Sequence, residues 1–188
     1  MRHFFRRKNI RFMVRTLGSL ALMVLFVAPA VAQEREAARI DYFRAVAGFF
    51  NLPPSEVAIL GDWELPPDEI PVVLFIARRA GVSPEALVAL RESGRRWTDL
   101  ADRYRVRASA FHVPVRDDAP AGRLESTYRL FRSTPVGEWG SLRLDDEAIV
   151  ALVNVRVISQ SLGLSAERVL AETGRASSFV ELHARLSR

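Results

Sequence analysis

Histidines and neighbouring carboxylates are the residues of this chain that could act in catalysis or hold a metal ion. Only His112 and His183 follow the N-terminal stretch, and carboxylates occur in pairs at Asp117-Asp118 and Asp145-Asp146. A metal-binding helix face needs further His or acidic ligands one turn away, and neither histidine has one. Asp117-Asp118 lies in a stretch with Pro and Gly, which indicates a solvated loop, whereas Asp145-Asp146 opens a predicted helix, where carboxylates cap backbone N–H groups.

Other catalytic patterns are missing from the sequence. It has no cysteine, and therefore no thiol nucleophile and no disulfide. It has neither a Gly-rich phosphate loop nor the strand-turn-helix pattern of a serine nucleophile. We therefore predict no catalytic, cofactor-binding or metal-binding residues, no cofactor, and a protein that is not an enzyme.

The N-terminus has the pattern of a secretory signal peptide. An apolar run from Thr16 to Ala32 ends in small residues at Ala30 and Ala32, and six basic residues precede it: Arg2, Arg6, Arg7, Lys8, Arg11 and Arg15. A helix needs about 20 apolar residues to cross a bilayer, so the run is short for a permanent anchor. We expect cleavage after Ala32 and a periplasmic or secreted product, with membrane contact only through this segment before cleavage.

Removal of the leader changes the charge of the protein. The leader holds 6 of the 27 basic residues and none of the 22 acidic ones, so 21 basic and 22 acidic residues remain and the net charge falls from +5 to about −1. A chain with this balance has no general attraction to polyanions, which argues against nucleic acid as a partner.

An internal repeat organises the rest of the chain. Residues Gly81–Ala89 align without a gap with Gly163–Ala171, sharing Gly, Ser, Glu and Ala at matching positions. After a two-residue adjustment, Trp97, Leu100 and Arg103 align with Phe179, Leu182 and Arg185. A repeated supersecondary unit is the simplest explanation. A fainter third copy begins at Leu52-Pro53-Pro54-Ser55.

Each copy is predicted to contain three helices. Ser83 and Ser165 are N-cap candidates, and Gly81 and Gly163 are predicted to end the preceding helix. Gly94 and Gly174 are assigned the same role one helix later, and third helices begin near Trp97 and Ser178.

The first helix of each copy is rich in β-branched residues, so a buried strand is the alternative. The span from Asp146 to Leu162 has no Gly or Pro and far exceeds a strand of about 5 to 6 residues, and we predict a buried helix. Asp68 and Glu69 precede Ile70 as Asp146 and Glu147 precede Ala148, and both acidic pairs are interpreted as helix openings.

A segment of different composition, 106–144, separates the copies. It contains several Pro and Gly residues and one predicted helix, Leu124 to Arg132. Its aromatic residues Phe111, Tyr128 and Trp139 are either core residues or anchors of a binding surface where the copies meet this segment.

The predicted architecture is therefore all-α, with two related three-helix units joined by a loop-rich connector. The boundaries are a signal peptide at 1–32, an N-terminal helical unit at 33–105, the connector at 106–144 and a C-terminal helical unit at 145–188. Asp68-Glu69, Gly81–Glu85, Gly94–Trp97, Phe111–Pro114 and Ile149–Asn154 together resemble a family of small exported bacterial proteins of unknown function. That resemblance implies export and helical repeats, but no activity.

The expected function is that of a non-catalytic binding or structural module of the cell envelope, whose partner is another envelope or secreted protein. One alternative is an envelope enzyme with a site built from the connector loops. A second is a membrane-anchored helix-turn-helix protein, because Val82 to Val106 has that pattern. Five arginines lie in or next to this segment: Arg95, Arg96, Arg103, Arg105 and Arg107. Export of the repeats away from the cytoplasm argues against DNA as the ligand.

Overall fold

A computed structural model describes the backbone of residues 17–188 and the side chains of residues 31–188, apart from Pro54, Val57, Ala58 and Leu60. The basic residues of the predicted signal peptide lie outside this range. Over residues 17–188 the chain forms ten α-helices and four 3₁₀ turns and contains no β-strand. The predicted all-α class is confirmed.

The helices run in the following order along the chain. They are α1 (Leu17–Phe50), α2 (Pro54–Gly61), α3 (Ile70–Ala80), α4 (Pro84–Glu92), α5 (Trp97–Arg103), α6 (Ala108–Phe111), α7 (Glu125–Ser133), α8 (Asp146–Leu162), α9 (Ala166–Glu172) and α10 (Phe179–Leu186). The 3₁₀ turns are Pro67–Glu69, Gly122–Leu124, Val136–Ser141 and Thr173–Arg175.

The chain divides into two compact bodies, Met1–Ala37 and Ala38–Arg188. The described residues of the first body, 17–37, all belong to α1. The second body contains the rest of α1 and every other helix, and all the contacts described below lie within it.

Helix α8 forms the centre of the second body. It contacts α3, α5, α6, α9 and α10. Buried residues cover most of its circumference, and Leu152, Val153 and Val155 are completely inaccessible. Burying such a side chain contributes about 1.5 to 3 kcal/mol, so tertiary packing overrides the strand preference of this β-branched sequence. The predicted buried helix, from Asp146 to Leu162, is confirmed.

Helix α3 packs against α8 and α4. All eight residues from Ile70 to Ala77 are buried, which explains why this segment lacks a polar face. Pro71 lies in the first turn, where its missing N–H disrupts no helical hydrogen bond. This helix was also predicted, against the strand alternative.

The predicted helix ends around α4 and α9 are present in both copies. The hydroxyl of Ser83 accepts a hydrogen bond from the Ala86 N–H, and that of Ser165 accepts one from the Arg168 N–H, each at 3.3 Å. Gly81 and Gly163 end α3 and α8 in the left-handed conformation, with φ of 68° and 64°. These positions favour glycine because it has no side chain to clash there.

Two local predictions were wrong. Gly174 does not stop a helix in a left-handed conformation, because it lies inside a 3₁₀ turn that extends α9. The connector contains not one helix but two, the short α6 and the predicted α7, together with two 3₁₀ turns. Four-residue α6 is held by tertiary contacts of Ala108 and Phe111, which a helical periodicity cannot reveal.

A buried polar contact joins α1 to α8. The Tyr42 hydroxyl donates to Oδ1 of Asn154, and both residues are completely inaccessible. The Asn154 amide donates to the carbonyl oxygens of Asp68 and Val150, both at 2.8 Å. Burial, and secondarily the charge of Asp68, raises the pKa of Tyr42, so the phenol remains a donor.

Candidate functional site

The acidic residues that open α3 and α8 each cap a helix that is distant in the sequence. Asp146 accepts hydrogen bonds from the N–H groups of Trp97 and Thr98 at the start of α5, both at 3.0 Å. Asp68 accepts them from the N–H groups of Phe179 and Val180 at the start of α10, at 2.9 and 3.3 Å. The two contacts are reciprocal, since the opening of α3 caps α10 near the C-terminus and the opening of α8 caps α5 in the N-terminal part of the chain.

A cavity of about 220 Å³ lies between these two caps. It is lined by the acidic residues at the starts of α3 and α8 together with the aromatic residues that they cap, and by Arg123: Asp68, Glu69, Trp97, Arg123, Asp146, Glu147, Val150, Ala151 and Phe179. Arg91 holds Glu69 through two hydrogen bonds of 2.7 and 2.8 Å and lies 3.5 Å from Asp146. Asp68, Glu69 and Asp146, three of the four acidic residues that line the cavity, are thus engaged in caps or in an ion pair.

Burial raises the pKa of Asp68, while the N–H groups of Phe179 and Val180 and the charge of Arg123 act in the opposite direction. A raised carboxyl pKa in a cavity is a feature of some catalytic acids. Here the same carboxylate oxygens accept the N–H groups of α10, so capping fully explains their position.

The paired carboxylates considered in the sequence have structural or solvated positions. Asp145 caps its own helix, accepting the Ala148 N–H at 2.7 Å. Asp117 and Asp118 are exposed, and Asp118 has only a 3.9 Å contact with Arg116. The structure does not bring the two pairs together in one pocket.

His112 belongs to an aromatic cluster. Its ring centroid lies 4.3 Å from that of Trp139, 4.8 Å from Phe131 and 5.9 Å from Tyr128. Burial, followed by the nearby charge of Arg156, lowers the pKa of His112 and favours the neutral ring.

His183 lies on the inner face of α10 and is buried. Its ring is 6.0 Å from that of Tyr42, in an edge-on arrangement, and its Nδ1 is buried without a hydrogen-bond partner. Burial lowers the pKa of His183. Among the residues whose placement is described, no group of three or more His, Cys, Asp or Glu side chains could hold a metal ion.

The connector aromatics form core rather than surface. Phe111 and Tyr128 are each 1% exposed, and the Tyr128 hydroxyl donates to the Val113 carbonyl at 2.8 Å. Trp139 is half-buried, and its indole N–H donates to the carbonyl oxygens of Phe131 and Thr134 at 3.0 and 2.9 Å. Phe111 and Tyr128 are therefore inaccessible as interface anchors.

The start of α5 is covered by α8, which bears on the helix-turn-helix alternative. A recognition helix must present its N-terminal residues to bases, but Trp97 and Thr98 are buried and bonded to Asp146. The five arginines considered for DNA contact are all exposed. They provide a solvated surface around helices whose apolar faces are already packed.

A cleft of about 210 Å³ lies where α1, α3 and α8 meet. We call it the arginine cleft. Three phenylalanines and three arginines line it: Phe49, Phe50, Phe75, Arg78, Arg79 and Arg156. Its lining contains no acidic residue. Among the described residues, neither Arg78 nor Arg79 forms an ion pair.

Phe75 organises the charges of the arginine cleft. The guanidinium carbons of Arg79 and Arg156 lie over its ring, 5.2 and 5.0 Å from the centroid. An arginine so placed is attracted to the aromatic face while its N–H groups remain free to donate at the edge. Phe75 itself is only 5% exposed, so little of its ring remains accessible.

Arg156 connects the arginine cleft to the connector. Its guanidinium donates to the carbonyl oxygens of Ala110, Phe111 and His112, at 3.1, 3.2 and 2.6 Å. Burial, and next the charge of Arg79, lowers the pKa of Arg156. Two positive groups are thus held near each other without a carboxylate between them, an arrangement that favours an incoming anion.

No sequence pattern identifies the arginine cleft. Its residues come from three helices, and Phe49 and Arg156 are 107 positions apart (156 − 49), so no short-range pattern relates them. Arg78-Arg79 at the end of α3 was a visible signal, but basic residues are common in the last turn of a helix.

Comparisons with known proteins add no family or fold name to the all-α class. No protein-family model matches the chain, and no curated protein or solved structure matches it significantly. In the part of the chain that the structure describes, no single helix is both long and apolar enough to cross a membrane.

Proposed function

We propose that this protein is an exported bacterial binding module that acts without catalysis. Residues 1–32 direct export and are removed after Ala32. The processed chain then binds another protein of the cell envelope, or a secreted one, through the arginine cleft.

The arginine cleft is the observation that carries this proposal. Asp68, Asp145 and Asp146 are engaged in helix caps and both histidines in ring packing. Arg78 and Arg79 are exposed and have no acidic partner among the described residues. A cleft that presents the partly exposed Phe49 beside guanidiniums without an acidic partner is suited to recognition of a partner. The cleft also adjoins the connector through Arg156, near the surface expected from the sequence.

The enzyme alternative receives less support. Its site would use the connector loops, where His112 is packed among three aromatic rings and Asp117 and Asp118 are exposed without further catalytic partners nearby. A proton-transfer site needs groups within hydrogen-bond reach of a common substrate position.

Processing is tested by intact-mass measurement on protein recovered from outside the cytoplasm. We expect a dominant species that begins at Gln33. A dominant species that retains Met1 to Ala32 would contradict the export and cleavage part of the proposal.

Binding is tested by replacing Gly48 with a photoreactive amino acid in cells that produce the full precursor, because Gly48 precedes Phe49, is exposed and has open space for a side chain. Arg129, which is exposed on α7, provides the control position. We expect a discrete protein adduct from position 48 that is lost with Arg79→Glu, and none from position 129. Equal adducts from both positions, or an adduct insensitive to Arg79→Glu, would refute the arginine cleft as the binding surface.

A further inference from the structure

Cleavage after Ala32 makes Gln33 the first residue of the processed chain. An N-terminal glutamine differs from an internal one, because its free α-amine can reach the carbonyl carbon of its own side-chain amide. Attack of the α-amine nitrogen on Cδ closes a five-membered lactam, and the side-chain nitrogen takes up one amine proton and leaves as ammonia. The reaction needs no oxidant, reductant or further reactant.

The structure leaves this position accessible. Residues 31–37 are all exposed, and the described residues of the first compact body belong to α1 alone. Once the residues up to Ala32 are removed, the first N–H groups of the shortened helix lack intrahelical partners. A first turn of this kind opens easily, so Gln33 can adopt the conformation that brings its amine to its side-chain amide.

Cyclisation also removes an unfavourable charge from the start of the shortened helix. A positive α-ammonium group opposes the positive end of the helix dipole, whereas a neutral lactam does not. Glu34 and Glu36 then lie in the first turn, where negative charge is favourable. The lactam therefore suits the new start of α1 better than the free amine does.

Gln33 supplies the only primary amine of the processed chain. The sequence contains one lysine, Lys8, which lies in the leader, and all the lysine or arginine positions after Ala32 are arginine. Cleavage therefore removes the lysine amine, and cyclisation converts the remaining α-amine into an amide. The product offers no primary amine to aminopeptidases or to enzymes that modify amines.

We propose that Gln33 is a modification site, and that the exported protein has a pyroglutamyl N-terminus and no primary amine. This inference rests on the proposed export and cleavage after Ala32, and it adds the covalent step that follows them. The lactam protects the exposed N-terminal turn of α1, a kind of position where proteolysis concentrates, from stepwise digestion.

The inference is tested by counting reactive amines. Protein recovered from outside the cytoplasm is denatured and treated with formaldehyde and a borohydride, which methylate primary amines, and intact mass gives the number of amines labelled. The uncleaved precursor has two, at Met1 and Lys8, and the cleaved chain with a free Gln33 has one. We expect the wild-type protein to remain unlabelled, with the mass of residues 33–188 less one ammonia.

Two variants provide matched controls. Gln33→Asn retains a side-chain amide but is one methylene shorter, so the same attack would close a strained four-membered ring. This variant should be cleaved at the same bond, take one label and keep the full mass of its processed chain. Gln160→Asn makes the same change at the other glutamine of the sequence, which is internal and exposed, and it should remain unlabelled like the wild type.

The outcomes separate this inference from the proposed function. A wild-type species that begins at Gln33, has its full mass and takes one label would overturn the inference and leave the proposed cleavage intact. An unlabelled Gln33→Asn protein would also overturn it, because the amine would then be blocked by other chemistry. Two labelled amines on a chain that retains the leader, or a dominant species that begins at another residue, would refute both proposals.

Discussion

Replacing Asp146 by Ala should destabilise the protein by removing a cap that α5 obtains from α8. The side chain accepts the N–H groups of Trp97 and Thr98 and the Thr98 hydroxyl, all at 3.0 Å. The N-cap residue of α5 does not replace Asp146 as a cap, because the Arg96 side chain makes no capping hydrogen bond. The variant therefore leaves two donors at the start of a buried helix without their partner.

The expected magnitude follows from these contacts. A buried donor without a partner costs about 1 to 3 kcal/mol, and loss of a capping side chain costs about 0.5 to 2 kcal/mol. The Thr98 hydroxyl retains its 2.9 Å bond to the Leu144 carbonyl, so it contributes little to the loss. We expect Asp146→Ala to lower the free energy of unfolding by about 3 kcal/mol, which corresponds to a Tm lower by about 6 to 12 °C for a domain of this size.

Urea denaturation monitored by circular dichroism measures this change. Asp146→Asn retains one acceptor oxygen and should lose about half as much stability. Asp118→Ala is the matched control, because that carboxylate is 82% exposed and has only a long contact with Arg116; its effect should stay within about 0.5 kcal/mol. If Asp146→Ala also falls within about 0.5 kcal/mol of the wild type, the capping argument is wrong.

Three further predictions concern other contacts. Gly122→Ala should lower the free energy of unfolding by about 3 kcal/mol or more in urea denaturation, because φ is +55° and the new Cβ would lie 2.5 Å from the Leu170 carbonyl oxygen; a wild-type midpoint would refute this. Burial lowers the pKa of His183, so the unfolded chain binds a proton at this histidine before the folded protein does, and the free energy of unfolding decreases as pH falls below about 6.5. Denaturation at pH 7 and pH 5 should show a smaller decrease for His183→Gln than for the wild type. An equal decrease would contradict the assignment. Trp139→Ala should cost about 2 to 4 kcal/mol through lost ring packing and two lost hydrogen bonds; unchanged melting would instead restore Trp139 as a surface anchor.

Much of the helical architecture could be predicted because its signals are local. The bounds of α8 follow from an uninterrupted span between an acidic opening and Gly163, and the observed helix has those bounds. The caps at Ser83 and Ser165 act within one turn, where sequence spacing is a reliable guide to distance. In these elements the contacting residues are close in the sequence, so their spacing alone predicts the contact.

The reciprocal caps could not be predicted because they connect distant residues. Asp68 and Asp146 were interpreted as openings of their own helices, since acidic residues in a first turn favour that helix dipole. Asp146 instead bonds residues 48 and 49 positions away, and Asp68 bonds residues 111 and 112 positions away. The same limit applies to the arginine cleft, which exists only after α1, α3 and α8 have packed together.

The reciprocal caps can be compared, in their connectivity alone, with the contacts of an isologous dimer. In an isologous dimer interface, a residue of the first subunit contacts a site on the second, and the same residue of the second contacts the same site on the first. Asp68, before α3, bonds the start of α10, and Asp146, at the start of α8, bonds the start of α5. The start of α10 also has a local cap, since the Ser178 hydroxyl accepts the Glu181 N–H at 3.1 Å, whereas the Trp97 and Thr98 N–H groups at the start of α5 bond to Asp146. Formation of the first turn of α5 is therefore coupled to the packing of α8 beside it.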